Sequence, residues 1–144
     1  MKQLKCIVSL VTVLLLLLSS NVFAQKKQST GDEIIGIYWS PKKNAKISIY
    51  KSGEHYFGKS IWVESPRKDT ENSKKSLRSR DLLGIELLTN FKYKNGTYID
   101  GEVYDPENGK TYDCKMSLEG DKLKVRGFIG FALFGRTEIF ERVK

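Results

Sequence analysis

Alternation of apolar and polar residues is the feature that most constrains the fold of this chain. In residues 112–118 every second residue is apolar, from Tyr112 to Leu118, and the residues between them are polar. Successive side chains of a β-strand point to opposite faces of its sheet, so this pattern predicts a strand with one buried face. The same period recurs along residues 34–143, and no run with the period of an α-helix interrupts it. The chain is therefore predicted to be all-β.

Short turn signals separate the predicted strands. Asn95-Gly96 is the strongest of these, because both residues tolerate the positive φ of a two-residue hairpin turn. Sequential hairpins give an antiparallel meander, and a meander of about eight strands can close into a barrel that has no exposed edges. A β-sandwich is the alternative, although it needs longer crossing connections. The predicted strands are residues 34–39, 45–50, 55–63, 85–93, 97–104, 112–118, 122–128 and 136–143.

A secretory signal peptide is predicted at residues 1–24. Lys2 and Lys5 form a positive n-region, an apolar stretch starts at Ile7, and Val22 and Ala24 supply the small residues of a cleavage site. A transmembrane anchor is the alternative, but the apolar run of ~12 residues is shorter than the ~20 needed to span a bilayer. Cleavage changes the net charge of +8 to +6, because two lysines and no acid are removed. We expect a flexible start at residues 25–31 and one barrel domain at residues 32–144.

The few histidines and cysteines restrict the chemistry of the mature chain. His55 is the single histidine and lies in a predicted strand. A histidine-rich metal site is therefore impossible, and a catalytic triad would have to use His55 as its only possible histidine. Phosphate-binding, dinucleotide-binding and nucleophile-elbow motifs are missing from the sequence. We therefore expect no catalytic residues, no metal and no cofactor. Cys114 is left without an intramolecular partner after cleavage, and we expect it to be buried.

Residues 64–80 are the one segment without apolar alternation, and basic residues outnumber acidic ones there. Loops of this length tend to be functional or disordered. Arginines of this loop and of the last two strands could converge on Asp69 and Asn72 and bind a carboxylate or phosphate. The alternative is structural: Asp69 and Asp105 pair with the arginines, and an Arg126–Asp69 bond ties the loop to the barrel. The arginines concerned are Arg78, Arg80, Arg126 and Arg136.

Aromatic residues raise the question of whether the barrel is hollow. Trp62, Tyr104, Tyr112 and the apolar residues of segment 128–134 are candidates to line a ligand cavity. A barrel of eight strands is only just wide enough for its own side chains or for one small ligand. The chain length and the aromatic content favour a filled interior, and a cavity is the alternative.

Seven segments of the mature chain resemble the bacterial domain-of-unknown-function 2147 family, from about Asp32 to Arg142. The most specific block is Tyr-Asp-Pro at 104–106 with Gly-Lys-Thr-Tyr at 109–112, followed by Leu-Lys-Val-Arg-Gly at 123–127. The resemblance implies a small exported protein with a lipocalin-like antiparallel barrel, and it implies no activity. Lipocalin-like barrels often place a tryptophan near the start and cap it with a basic residue near the end. Here Tyr38 takes that place, and Arg142 is the candidate for a cation–π contact. The matching segments are residues 58–62, 69 and 72, 78–84, 101–106, 109–112, 123–128 and 135–137.

Two functions remain open at this point. The first is an exported, periplasmic or secreted binding module for a small amphipathic or anionic ligand. The second is a non-enzymatic envelope protein with a filled barrel that binds a partner through its basic loop. Export argues against nucleic acid as the target of the positive charge, whereas anionic envelope components remain candidates. We expect a monomer with no transmembrane segment after signal cleavage.

Overall fold

The computed structural model describes residues 30–131 and 133–144. The predicted signal peptide and residues 25–29 of the predicted flexible start lie outside these residues. Within the described part of the chain, eight antiparallel strands form one closed barrel in sequence order. The strands are β1 (Gly36–Trp39), β2 (Ala45–Ser52), β3 (His55–Val63), β4 (Glu86–Lys94), β5 (Thr97–Asp105), β6 (Lys110–Glu119), β7 (Lys122–Phe128) and β8 (Gly135–Arg142).

The barrel closes through antiparallel pairing of β1 with β8, in which Tyr38 lies opposite Arg142. The prediction of an all-β antiparallel meander barrel is confirmed. Strands β3 and β7 begin and end at the predicted residues, whereas Ile34 lies in a short 3₁₀-helix, Asp32–Ile34, and not in the first strand. Ile34 is fully buried, so its apolar character reflects a position inside the barrel.

Two backbone features of the strands β3 to β5 follow from asparagine and glycine residues, and the first of them was predicted. Asn95 and Gly96 both have positive φ, at 50° and 84°, as a tight hairpin turn between β4 and β5 requires. Gly58 lies at a register shift between β3 and β4, a position where a strand glycine is often found.

One end of the barrel, the closed end, is sealed by the segment that precedes β1. The hydroxyl of Tyr38 donates to the carbonyl of Ile34 at 2.8 Å, and that of Tyr98 donates to the carbonyl of Gly31 at 2.5 Å. Tyr56 donates to the Asp32 carboxylate at 2.5 Å. Three inward tyrosines thus donate hydrogen bonds to the segment before β1, which enters the barrel. The buried carbonyls of Gly31 and Ile34 are therefore paired.

Arg142 completes the closed end from the outside. Its guanidinium lies 4.7 Å from the centre of the Tyr38 ring and donates to the carbonyls of Ile35 and Glu33 at 2.9 and 2.5 Å. The cation–π contact expected between these two residues is therefore present. It joins the last strand to the segment before the first one.

The apolar core fills the half of the barrel next to the closed end. Phe91 is fully buried and lies against Gly101, where an added Cβ would come within 2.4 Å of the ring. Cys114 is buried as predicted, and burial raises the pKa of its thiol to about 12. The buried core residues are Ile34, Tyr38, Ile47, Ile49, Tyr56, Leu88, Phe91, Tyr98, Cys114, Met116, Leu123 and Val125.

Candidate functional site

The other half of the barrel, the open end, contains a cavity of about 1240 Å³. The expectation of a filled interior is therefore wrong for this half. Most of the wall side chains here are aliphatic, and the space they leave is larger than the ~300–1,000 Å³ that small-molecule sites usually occupy. The barrel residues that form its walls are Ala45, Ile47, Ser60, Val63, Leu87, Leu88, Val103, Val125, Gly127, Phe128 and Phe140.

Four connections surround the mouth of the cavity: residues 40–44, 64–85, 106–109 and 129–134. Charged side chains of both signs line this mouth. Glu107 accepts from Lys42 at 2.9 Å, and Arg136 pairs with Glu138 at 2.5 Å. The charged side chains therefore offset one another at the rim, while the walls below it are apolar. The charged lining residues are Lys42, Glu64, Arg67, Asp105, Glu107, Arg136 and Glu138.

The connection between β7 and β8, which we call the rim hairpin, exposes large apolar side chains to solvent in its described residues 129–131 and 133–134. Ile129, Phe131, Leu133 and Phe134 are 73–80% exposed. Ile129, Leu133 and Phe134 also line the mouth of the cavity. Exposed apolar patches of this kind often mark sites that bind a ligand, a protein or a membrane. The predicted role of the 128–134 segment in lining a cavity agrees with this geometry.

The connection between β3 and β4, residues 64–85, is called the long loop below. A cluster around Asp69, which we call the loop clasp, fixes this loop to the barrel wall. The Asp69 carboxylate is fully buried and accepts from Tyr104 at 2.5 Å and from Asn72 and Arg80, both at 2.8 Å. Burial alone would raise the pKa of Asp69, but the hydrogen bonds from Tyr104, Asn72 and Arg80 outweigh it and hold the pKa below the usual 3.8. The ionised carboxylate is thus satisfied by the chain itself.

The turn between β5 and β6 packs tightly on the loop clasp. Gly109 has a φ of +68°, and a Cβ at this position would lie 1.7 Å from the carbonyl oxygen of Glu71. Asp105 bonds within its own turn, to the backbone amide of Glu107 and the side chain of Asn108. The expectation that Asp105 pairs with an arginine is therefore wrong, since its oxygens cap the turn.

Each of the four arginines singled out in the sequence has different partners. Arg80 pairs with Asp69, Arg78 donates to the Asn72 carbonyl at 2.8 Å, and Arg136 pairs with Glu138. The predicted Arg126–Asp69 bond is wrong, because Arg80 and not Arg126 binds that carboxylate. Arg126 donates to Thr137 and to the carbonyl of Leu133, so it supports the rim hairpin.

Of the three aromatic residues outside segment 128–134 that were proposed to line a cavity, two do so. Tyr104 and Tyr112 lie at the mouth, but Trp62 is not among the lining residues. Trp62 is exposed and meets Trp39 edge to face at 5.7 Å, with the Lys46 ammonium near both rings. A register shift between Lys46 and Ile47 on β2 displaces the end of β3, so simple alternation fails at Trp62.

A second cavity of about 560 Å³ lies between the long loop and strands β4 to β6. Its lining is more polar and includes Lys74, Arg80, Glu102 and Lys110. Tyr104 and Tyr112 contribute to both cavities, which places the second cavity beside the mouth of the first. The predicted residues Asn72, Arg80, Tyr104 and Tyr112 are thus brought together here, while Trp62, Arg126 and Arg136 lie elsewhere.

Ser60 is a cavity residue that the sequence analysis missed. It is 2% exposed on β3 and lines the main cavity. Its position could have been found, because it shares the inward parity of Tyr56 and Gly58 and is a polar residue in that row. Most other lining residues are ordinary strand residues, and sequence alone does not show which layer of a barrel stays open.

Within residues 30–131 and 133–144, no group of three or more histidine, cysteine or acidic side chains is placed to hold a metal ion. In the same residues, no helix combines the length and the apolar character that crossing a bilayer would require.

Comparison with known proteins identifies the family. The family described as "Uncharacterized protein conserved in bacteria (DUF2147)" matches residues 36–142. No curated protein matches the chain. Among solved structures, protein HP1028 from the human pathogen Helicobacter pylori, described as belonging to the lipocalin family, is similar with a TM-score of 0.69 at 20% identity. The match covers 76% of this chain and 82% of that chain. The chain thus has a lipocalin-like fold and belongs to the bacterial DUF2147 family.

Proposed function

We propose that this protein is an exported, non-enzymatic binding protein that holds one small amphipathic molecule in its barrel. The observation that carries the proposal is the cavity at the open end, which has apolar walls and a charged rim. An apolar chain gains free energy by leaving water for such walls, at ~25 cal/mol per Å² of buried apolar area. The polar end of the same molecule remains at the rim, where charges and water are available.

The rim supports a polar head group without selecting its charge. The lining contains three basic and four acidic side chains, Lys42, Arg67 and Arg136 against Glu64, Asp105, Glu107 and Glu138. Such a balance favours neither an anion nor a cation by long-range attraction. The sequence predicts a ligand that is either amphipathic or anionic, and the cavity therefore favours the amphipathic type. Export rests on the predicted signal peptide, and cleavage after Ala24 in the native host tests it.

The first test is a titration with a fatty acid that carries a polarity-sensitive dansyl group at its chain end. We expect saturable binding with a blue shift of the emission, because the dansyl group moves into an apolar cavity. Val103 lines the cavity, and Val103→Trp should weaken binding at least tenfold by filling it. The matched control is Ile139→Trp on β8, where the side chain is 36% exposed and lies outside the cavity lining.

Equal binding by Val103→Trp and Ile139→Trp would show that the probe binds outside the barrel. Absence of saturable binding to the wild-type protein would count directly against the proposal. If Val103→Trp does not fold, Ala45→Phe at the same cavity serves instead, since Ala45 is only half-buried. Native mass spectrometry of protein purified from its host then identifies any co-purified molecule.

A second candidate function is partner binding through the long loop. It is favoured by the second cavity, which places Lys74 and Lys110 beside exposed loop residues. Crosslinking in intact cells tests it with Lys74→Glu combined with Lys75→Glu, because these exposed changes leave the loop clasp intact. Loss of one specific crosslinked envelope protein would support this function, and an unchanged crosslinking pattern would oppose it.

A further inference from the structure

The rim hairpin holds the most exposed large apolar side chains of the described residues. Ile129, Phe131, Leu133 and Phe134 lie on this one connection and are 73–80% exposed, whereas the next most exposed, Leu83, is 52% exposed. Apolar side chains of this size gain free energy when a partner removes them from water. The described part of the fold does not cover them, which makes the rim hairpin a candidate docking surface.

Basic side chains lie beside the rim hairpin on both sides. Arg136 follows it on β8 and is 86% exposed, although it pairs with Glu138. On the other side, Ile129 lines the second cavity together with Lys74 and Lys110, both of which are exposed. Exposed apolar side chains flanked by lysine and arginine are typical of segments that bind an anionic membrane surface.

The charge of the open end agrees with such a surface. The four connections around the mouth contain eight basic and five acidic residues. Only two of each sign line the cavity, so the excess of three positive charges belongs entirely to residues that do not line it. The charges are therefore balanced inside the mouth, whereas the outer parts of the connections attract anions. The four charged lining residues of these connections are Lys42, Glu64, Arg67 and Glu107.

A second copy of the chain fits this surface poorly. In a two-fold dimer the same surface meets itself, so the excess positive charge of one copy would face that of the other. An anionic bilayer instead supplies an apolar interior for the side chains of the rim hairpin and phosphate groups for the cations beside it. We propose that the rim hairpin docks this protein, with the mouth of its cavity first, onto an anionic lipid bilayer.

Docking through the rim hairpin brings the cavity to the membrane. Ile129, Leu133 and Phe134 line the mouth, whereas Phe131 does not. An amphipathic molecule then passes between bilayer and cavity without exposing its apolar part to water. The inference goes beyond the proposed function, because docking requires no ligand in the barrel and Phe131 tests it outside the cavity lining.

The experiment is cosedimentation of the protein, as processed by its host, with vesicles of phosphatidylethanolamine and phosphatidylglycerol in equal parts. We expect binding that weakens with added salt and is much weaker on vesicles of phosphatidylcholine alone. Phe131→Ser should weaken binding at least ~10-fold, because a phenylalanine no longer leaves water. The control is Ile37→Ser, which changes a 40% exposed side chain on β1 and should bind as the wild-type protein does.

Charge reversal tests the orientation of the docked protein. Lys74→Glu combined with Lys75→Glu should weaken binding to the anionic vesicles at least ~10-fold. The matched control is Lys94→Glu combined with Lys122→Glu, which changes two exposed residues at the closed end and alters the net charge equally. The control should weaken binding less than ~3-fold, since these residues face away from the bilayer. Equal weakening by both pairs would overturn docking by the open end.

Phe131→Trp supplies a measurement that depends on a gain of signal. The emission that this variant adds to that of Trp39 and Trp62 should shift to the blue when anionic vesicles are added, because the new indole enters an apolar environment. An added emission that does not shift would overturn the inference.

Three further results separate the alternatives. Absence of wild-type binding to the anionic vesicles, or equal binding by Phe131→Ser, would overturn the inference. Self-association without vesicles that Phe131→Ser abolishes, measured by sedimentation equilibrium, would assign the rim hairpin to a second copy and overturn it too. Failure of the dansyl fatty acid to bind the protein while vesicle binding persists would count against the proposed function and leave docking supported.

Discussion

The two ends of the barrel are built from the same strands but differ in the side chains that face inward. At the closed end the inward residues are large, such as Tyr56, Phe91 and Tyr98, and they pack around Ile34. At the open end the walls include smaller residues such as Ala45, Ser60 and Val103 beside Phe128 and Phe140, and a cavity remains. The strands alone do not decide whether a barrel is hollow, because the volume of the side chains in each layer does.

The connections differ in the same way. The closed end has turns of two residues at 53–54, 95–96 and 120–121, whereas the open end has four longer connections that include the long loop and the rim hairpin. Short turns leave little chain to rearrange, while longer connections can carry side chains over the mouth. Stability is therefore expected to reside at the closed end and in the loop clasp, and binding at the open end.

The largest contrast between the ends is expected from removing one phenylalanine at each. Phe91→Ala empties a fully buried position and should lower the free energy of unfolding by about 3–5 kcal/mol. Phe134→Ala removes a side chain that is 75% exposed and should change the free energy of unfolding by less than ~0.5 kcal/mol. Denaturant unfolding measures both, and similar losses would show that the rim hairpin is as tightly packed as the core.

The loop clasp should give the next largest effect, although it lies at the open end. Removing one partner of a buried ion pair costs ~3–5 kcal/mol, and we expect about 3 kcal/mol for Asp69→Ala because the Arg80 side chain is 35% exposed. Asp81→Ala is the matched control, since its pair with Lys68 is largely exposed and contributes little.

The pH dependence of the loop clasp has a defined sign. Because the pKa of Asp69 is held below its usual 3.8, the carboxylate stabilises the fold above about pH 4 and loses this contribution as the pH falls through the lower folded value. Asp69→Asn should therefore flatten the acid side of the stability curve below about pH 4 relative to the wild-type protein. An unchanged curve would mean that other carboxylates govern acid unfolding.

Arg142 and Arg136 provide the smallest contrast. Arg142→Ala removes the cation over Tyr38 and two hydrogen bonds to backbone carbonyls, so we expect a loss of about 2 kcal/mol. Arg136→Ala at the rim should give no measurable loss, because that side chain is 86% exposed. Thermal unfolding of the two variants shows which one loses more stability. A larger loss for Arg136→Ala than for Arg142→Ala would contradict the view that stability resides at the closed end and binding at the open end.

Local signals in the sequence predicted most of the architecture. Alternation predicted which residues of Lys110–Glu119 point inward, and Asn95-Gly96 marked a hairpin that the structure contains. These predictions succeed because strand parity and positive φ depend on neighbouring residues. The position of Trp62 was predicted incorrectly, since a register shift depends on how two strands pair and not on either strand alone.

The candidate site was predicted only in part, for a related reason. Tyr104 and Tyr112 were identified as cavity residues, whereas Ser60 was missed and Asp69 was given the wrong arginine. Asp69 and Arg80 are eleven residues apart on one folded loop, and nothing in their spacing distinguishes Arg80 from Arg78 or Arg126 as the partner. Partner choice depends on how the loop folds back on the wall at Tyr104.

By itself, the sequence determined that this chain forms an antiparallel barrel with one apolar inner face, because burying that face requires every strand to keep its parity. The tertiary structure decided which layers of the barrel are full and which arginine closes the clasp. These outcomes depend on side-chain volumes and distances across the closed barrel, which bring together residues far apart in the chain and are fixed only when β1 pairs with β8.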